Sequence, residues 1–237
     1  GGHESGAAAA QAVIDIARES FVASNPAEPR DFLEEICFAA HDAIRTLPNS
    51  EGPSAGSTCV LFYANGPEAY WIHVGDTRLY HFENGRLLGR THDHSLVQFM
   101  LDQNEIQEEE AVEHPLKNQI YMRLGGDNQP EPSFDCRALE DRATFLLCTD
   151  GFWETVEPEE AAAMLAHADS LEDAVQALVD RANERGGSDA DNISVIVARW
   201  TETTRSRAST TIADGHGSEP PGGWKRIIQR AKAAFGE

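Results

Sequence analysis

The chain has 237 residues, with 41% hydrophobic and 25% charged, which suits one domain with a substantial buried core and excludes wholesale disorder. Its formal net charge of −21 excludes the cationic footprint that binding to nucleic acid phosphates requires. An acidic surface also concentrates divalent cations, although solubility alone accounts for such a balance. From Ala7 to Phe21, apolar residues recur at helical spacing, predicting a helix with Ala9, Ala10, Val13, Ile14 and Ala17 inward. A second helix is predicted over Asp31 to Leu47, burying Phe32, Leu33, Ile36, Cys37, Ala40 and Ile44.

The text then changes character. "STCVLFYANGPEAYWIHVGDTRLYHFENGRLLGRT" is rich in β-branched and aromatic residues and is punctuated by Asn-Gly, Gly-Asp and Asn-Gly, which predicts a strand meander with tight turns. Helical character returns between Ser95 and Glu113, where Glu108, Glu109 and Glu110 read as a solvated face without chemistry. "RATFLLCTDG" and "NISVIVARW" are further strands, separated by helical text from Glu159 to Glu184. Strands and helices grouped in blocks, with hairpin-like connections, favour an α+β architecture over alternating βαβ units.

No run of about 18 apolar residues predicts a membrane span, and no signal peptide is read. Cys37, Cys59, Cys136 and Cys148 form no CxxC pair, and three of them lie in apolar runs. They read as buried thiols of a reducing compartment, which predicts a cytoplasmic protein with neither a zinc site nor disulfides. Residues 201–237 carry a net charge of +2, leaving −23 for residues 1–200. Composition shifts at Arg199-Trp200: 201–223 reads as a flexible linker, and 224–237 as a short basic amphipathic helix. Its apolar stripe (Trp224, Ile227, Ile228, Ala231, Phe235) suits a membrane surface, a partner protein or the chain's own acidic domain.

Three aspartates share a local signature, each beside glycine or asparagine at the edge of an apolar run: Asp76 in "IHVGDTR", Asp150 in "LLCTDG" and Asp191 in "DADNISVIV". Singly, each is explained by a turn or a cap. Together, on neighbouring strand ends, they offer rigidly placed oxygen ligands to a hard divalent cation.

At these motifs the chain resembles the metal-dependent serine/threonine protein phosphatases, the phosphatase 2C-like group, in compact bacterial form. The matching text is "GGHESGAAAA", "AGSTCVLF", "IHVGDTRLYHF", "THDHSLVQFML", "EEEAVEHPLKNQIYMRLGG", "FLLCTDGFWETV" and "SDADNISVIVAR", in the family's order over roughly residues 1–200. The resemblance implies a four-layer α-β-β-α sandwich, two packed antiparallel sheets flanked by helices, with metals at one end between the sheets. It assigns Asp150 and Asp191 to one catalytic ion and Asp76, with Asp150, to a third and looser one. Asn192 would steady Asp191, while His3 and Gly151 would lie near the site.

The implied cofactors are Mn2+ or Mg2+, two catalytic ions plus a third. In such two-metal sites the ions lower the pKa of a bridging water and orient it for attack on a phosphate monoester, without a covalent phosphoenzyme. Cys148 fits that picture, because no CxxxxxR phosphate loop surrounds it. The implied substrates are phosphorylated Ser/Thr proteins, in signalling opposed by a Ser/Thr kinase. Thr77 and Ser194 stand where the family has serine and threonine. The family's upstream Asp-Gly and Arg-x-x-Asn-Glu-Asp elements lie before the position of Gly1, so this chain is expected to be impaired. A phosphoprotein-binding module without hydrolysis is the alternative expectation.

Overall fold

The computed structural model describes residues 5–23, 26, 28–47, 55–187 and 191–201. His3 and all but the first residue of the predicted linker and tail helix lie outside the described residues.

Both N-terminal helices form, as α1 (Gly6–Ala23) and α2 (Pro29–Arg45). Pro29 opens α2, where a missing N–H costs nothing and a fixed φ is already helical. Its predicted inner face is buried in full, from Phe32 to Ile44. The predicted face of α1 is rotated. Ala9, Ala12, Val13 and Ile16 are buried, whereas Ala10 is exposed, Ala17 half-buried and Ile14 56% exposed. In an alanine-rich helix two stripes match the helical period equally well, and the one with small side chains at Ala9 and Ala12 permits the closer approach to its neighbours.

The strands make two antiparallel sheets. One has the order β1 (Cys59–Asn65), β2 (Glu68–Val74), β5 (Ser133–Ala138). The other has the order β4 (Arg86–Arg90), β3 (Arg78–Glu83), β6 (Thr144–Cys148), β7 (Val195–Arg199). The hairpin turns follow from glycine: Gly66 (φ 61) precedes Pro67 between β1 and β2, and Asn84 (φ 49) with Gly85 (φ 74) joins β3 to β4. Both place positive φ where two-residue hairpins need it. Strand β5 has no hydrophobic alternation in its sequence, SFDCRA, and is largely exposed. Its pairing with β2 from Glu68↔Ala138 to His73↔Ser133 holds it, so periodicity does not reveal it. Cys136 sits on this strand and is exposed, unlike the three other thiols, which are buried as predicted.

Four layers result. Helices α1 and α2 cover the outer face of the first sheet around Leu33, Ile36, Ile44, Ile72 and Val74. Between the sheets lie Trp71, Leu79, Phe145 and Leu147, with the Phe62 ring tilted against Phe145 at 4.6 Å between centroids. Outside the second sheet, α6 (Pro158–Ala166) and α7 (Leu171–Gly186) pack on Tyr80, Phe82 and Leu146 through Leu165 and Leu178. The segment after β4 forms two short helices, α3 (Leu96–Asp102) and α4 (Glu108–Val112), with Asn104 in the left-handed region (φ 57) between them. Glu108, Glu109 and Glu110 are exposed, and Glu110 completes a capping box with Gln107.

Candidate metal centre

Strands β3, β6 and β7 are neighbours, and their register pairs Arg78 with Cys148 and Cys148 with Val195. The start of β3, the end of β6 and the start of β7 therefore line one sheet end. Asp76, Asp150 and Asp191 lie just beyond those termini, with Asp150 opening the one-turn helix α5 (Asp150–Trp153). The three aspartates singled out in the sequence are thus gathered by adjacent strands.

Close backbone packing fixes the gathering. A side chain at Gly75 (φ 97) would lie 2.3 Å from Thr58 Cγ2, so the turn before Asp76 requires glycine. At Gly151 a Cβ would meet the carbonyl oxygens of Asn192 at 2.8 Å and Asp191 at 2.9 Å, so only glycine lets α5 approach the Asp191 loop. Thr149 ties the same two segments. Its N–H donates to Ser194 O (3.1 Å), its hydroxyl donates to Asn192 O (3.0 Å), and that hydroxyl accepts from the Ser194 N–H (3.0 Å). Asp150 Oδ1 accepts from the Gly151 N–H at 3.0 Å, and Asp191 Oδ1 from the Asn192 N–H at 2.7 Å. Asn192 thus contacts Asp191 through its backbone amide.

Electrostatics couples the carboxylates. Burial, followed by repulsion from Asp150 and then Asp93, pushes the Asp76 carboxyl up to about 6. Asp150 is likewise raised, by burial and then by Asp191. None of the three forms an ion pair with a Lys, Arg or His among the described residues. Asp76 and Asp150 are half-buried and Asp191 is exposed; like charges brought together without an ion-pair partner are costly, and a hard cation with oxygen ligands relieves that cost. The donor set therefore fits Mn2+ or Mg2+ in chemical type. Among the described residues, no three His, Cys, Asp or Glu side chains converge on one point. The carboxylates interact as pairs, Asp76 with Asp150 and Asp150 with Asp191.

Several residues packed around the three aspartates carried no assignment from the sequence. Arg78 donates from Nε to Asp93 Oδ1 (3.0 Å) and from Nη2 to Asp93 Oδ2 (2.6 Å), and from Nη1 to Tyr80 Oη (3.1 Å). Its guanidinium carbon lies 3.5 Å from the centre of a Trp153 ring, and the indole N–H donates to the main-chain oxygen of Asp76 at 3.0 Å. His94 accepts the Gly75 N–H at Nδ1 (3.2 Å) and donates its own N–H to Gly75 O (2.9 Å). With Nδ1 accepting, Nε2 carries the proton and donates to Ser133 Oγ at 2.9 Å. Burial, then His73, holds His94 down at about 4, so it is neutral. The substituted Thr77 meets the Thr58 hydroxyl at 2.5 Å. Arg78, Asp93 and His94 were visible as polar residues inside quoted motifs; their partners lie too far along the chain for spacing to reveal.

No family model matches the chain. It is 30% identical over 200 residues to a protein phosphatase 2C-type protein of Streptococcus pyogenes, covering 83% of this chain and 81% of that one. The solved serine/threonine phosphatase of S. agalactiae superposes with a TM-score of 0.77 at 29% identity, over 85% of this chain and 84% of that one. The catalytic domain of serine/threonine protein phosphatase PstP, solved in complex with two manganese ions, superposes with a TM-score of 0.70 at 28% identity, over 85% and 84%. With 30% identity over four fifths of each chain and the same fold in the solved phosphatases, the chain belongs to the protein phosphatase 2C family.

Proposed function

We propose that this protein hydrolyses phosphoserine and phosphothreonine on other proteins, with divalent cations held by Asp76, Asp150 and Asp191. The observation that carries the reading is the placement of three aspartates at one sheet end of a phosphatase 2C fold, where Asp150 repels both Asp76 and Asp191 and none of them has an ion-pair partner among the described residues. Asp150 belongs to both pairs, so it is the shared ligand: with Asp191 it holds a catalytic ion, and with Asp76 a third. Manganese is the first choice, by likeness to PstP, with magnesium as substitute. Bound cations supply a water of lowered pKa and positive charge to offset the phosphoryl oxygens. The protein's own part is to hold the carboxylates in register through Gly75, Gly151 and Thr149.

Protein nucleophiles are poorly suited to this site. Cys148 is buried in β6, and burial pushes its thiol well above the usual range. Direct attack by water follows as the preferred route. Residues 1–200 form the catalytic domain in this reading, and a Ser/Thr kinase supplies the phosphoprotein substrates. Among the described residues, no helix is long and apolar enough to cross a membrane. The free buried thiols Cys37, Cys59 and Cys148 favour a reducing, cytoplasmic setting.

The test is hydrolysis of a phosphothreonine peptide with Mn2+, with Mg2+ and with excess chelator. Turnover is expected with metal and none with chelator. Full activity in chelator would overturn the metal assignment; binding of the peptide without turnover in any metal would replace the enzyme with a phosphoprotein-binding module.

A further inference from the structure

We propose that Arg78 and Trp153 form a clamp that sets the position of Asp76 against Asp150, and thereby the affinity of the cation those two carboxylates share. The inference rests on the metal reading above and assigns a positioning role to two residues outside the ligand set.

Asp76 and Asp150 repel one another, and Asp76 stands on a turn that strand pairing alone does not tie to α5. Trp153 is the last residue of the helix that Asp150 opens. Its indole N–H reaches back to the main-chain oxygen of Asp76 at 3.0 Å, so one hydrogen bond links the segments that carry the two ligands. That bond holds its direction only if the indole plane is fixed. The Arg78 guanidinium, 3.5 Å from the ring centre, lies against it.

Arg78 is fixed in turn. Asp93 grips it at Nε and Nη2, and Tyr80 Oη accepts from Nη1. The neighbour of Asp93 closes the circuit, because His94 exchanges hydrogen bonds with both the N–H and the carbonyl of Gly75. The turn bearing Asp76 is therefore gripped from behind by His94 and from the front by Trp153. A ring that only filled space would not need its polar atom on a ligand's own carbonyl. The half-buried position of Trp153 also sets it apart from core aromatics such as Phe145 and Phe152.

Trp153→Phe keeps a ring over Arg78 and deletes the N–H; Arg78→Lys keeps the charge and loses the planar fork. Mn2+ binding is titrated by electron paramagnetic resonance of the free ion in the unaltered protein, in both variants and in Asp76→Asn, with thermal unfolding measured in parallel. Asp76→Asn is expected to abolish one class of Mn2+ sites. The two clamp variants should weaken that same class by about tenfold or more, the range for residues that orient a metal ligand, while the remaining Mn2+ sites keep their affinity. Unchanged affinity of that class in Trp153→Phe, or an equal loss at every class accompanied by a lower melting temperature, would overturn the clamp. Unchanged Mn2+ binding in Asp76→Asn would instead remove Asp76 as a ligand, and the clamp with it.

Discussion

At one end of the four-stranded sheet, where β3 begins and β6 finishes, Asp76, Asp150 and Asp191 crowd together. At the other end, where β6 begins and β7 finishes, Arg142 and Arg199 stand beside a cavity of about 270 Å3 that Phe82, Asn84, Leu165 and His167 also line. Like charges meet at both ends, but they are resolved differently. Arg199 donates from Nη2 to Leu165 O at 2.5 Å and from Nε to Thr144 Oγ1 at 3.2 Å, so neutral acceptors at the end of α6 and the start of β6 absorb its charge. Burial and then Arg142 lower its pKa, and its hydrogen bonds make it part of the scaffold. The carboxylates receive backbone N–H groups and repel one another. Hence the cavity at one end belongs to the scaffold, while the end with unresolved charge is the candidate for chemistry.

The sharpest way to break this contrast is Asp150→Asn, which removes the carboxylate common to both pairs. Metal-dependent turnover of a phosphothreonine peptide is expected to fall by at least about a hundredfold, the upper range for residues that merely orient a metal ligand. The melting temperature in chelator should stay level or rise, since repulsion is relieved. Unfolding of the variant, or unchanged activity, would dissolve the distinction between the two ends. Gly151→Ala comes next. Its methyl group meets two carbonyl oxygens below 3.0 Å, so a loss of about 1–3 kcal/mol in denaturant unfolding is expected, with lowered activity in the folded fraction.

A pH series sharpens the comparison further. Asp76 is raised from 3.8 to about 6, so the folded state without metal holds its proton longer than the unfolded state does. Stability in chelator should therefore fall as pH rises from about 4 to about 6, and Asp76→Asn should flatten that slope. Saturating Mn2+ should remove or reverse that fall between about pH 4 and about 6, because the ion binds the deprotonated form and competes with the proton there. The smallest effect is expected at the opposite end: Arg199→Met should cost about 1–2 kcal/mol of stability through its lost hydrogen bonds and leave Mn2+ affinity unchanged. A changed Mn2+ affinity there would show that the two ends communicate.

Local signals made much of this legible. The inner face of α2 could be read because large apolar residues recur without competing positions, and the hairpins because each Asn-Gly pair supplies residues that tolerate positive φ. The three aspartates stood out because each interrupts an apolar run beside a turn residue. The face of α1 was ambiguous because alanine supplies little contrast, and β5 was invisible because pairing, not burial, keeps it in place. The Trp153 to Asp76 bond spans 77 residues of chain, and no spacing rule reaches that far. The contact of the Asn192 amide with Asp191 joins adjacent residues through the main chain, which residue types alone do not announce.

Direct backbone contact between the Asp150 turn and the Asp191 loop has a consequence for how this chain can vary. The excursion through α6 and α7 leaves from one side of that contact and returns to the other, and the seam is closed by Thr149, Ser194 and the missing side chain at Gly151. Geometry at the metal end is therefore insulated from the length of what lies between. The loop between α6 and α7, around residues 168–169, can be lengthened by a foreign element with closely spaced ends while both helices stay packed on the second sheet and the two aspartates keep their separation, which makes it the natural place to graft a reporter or a recognition module.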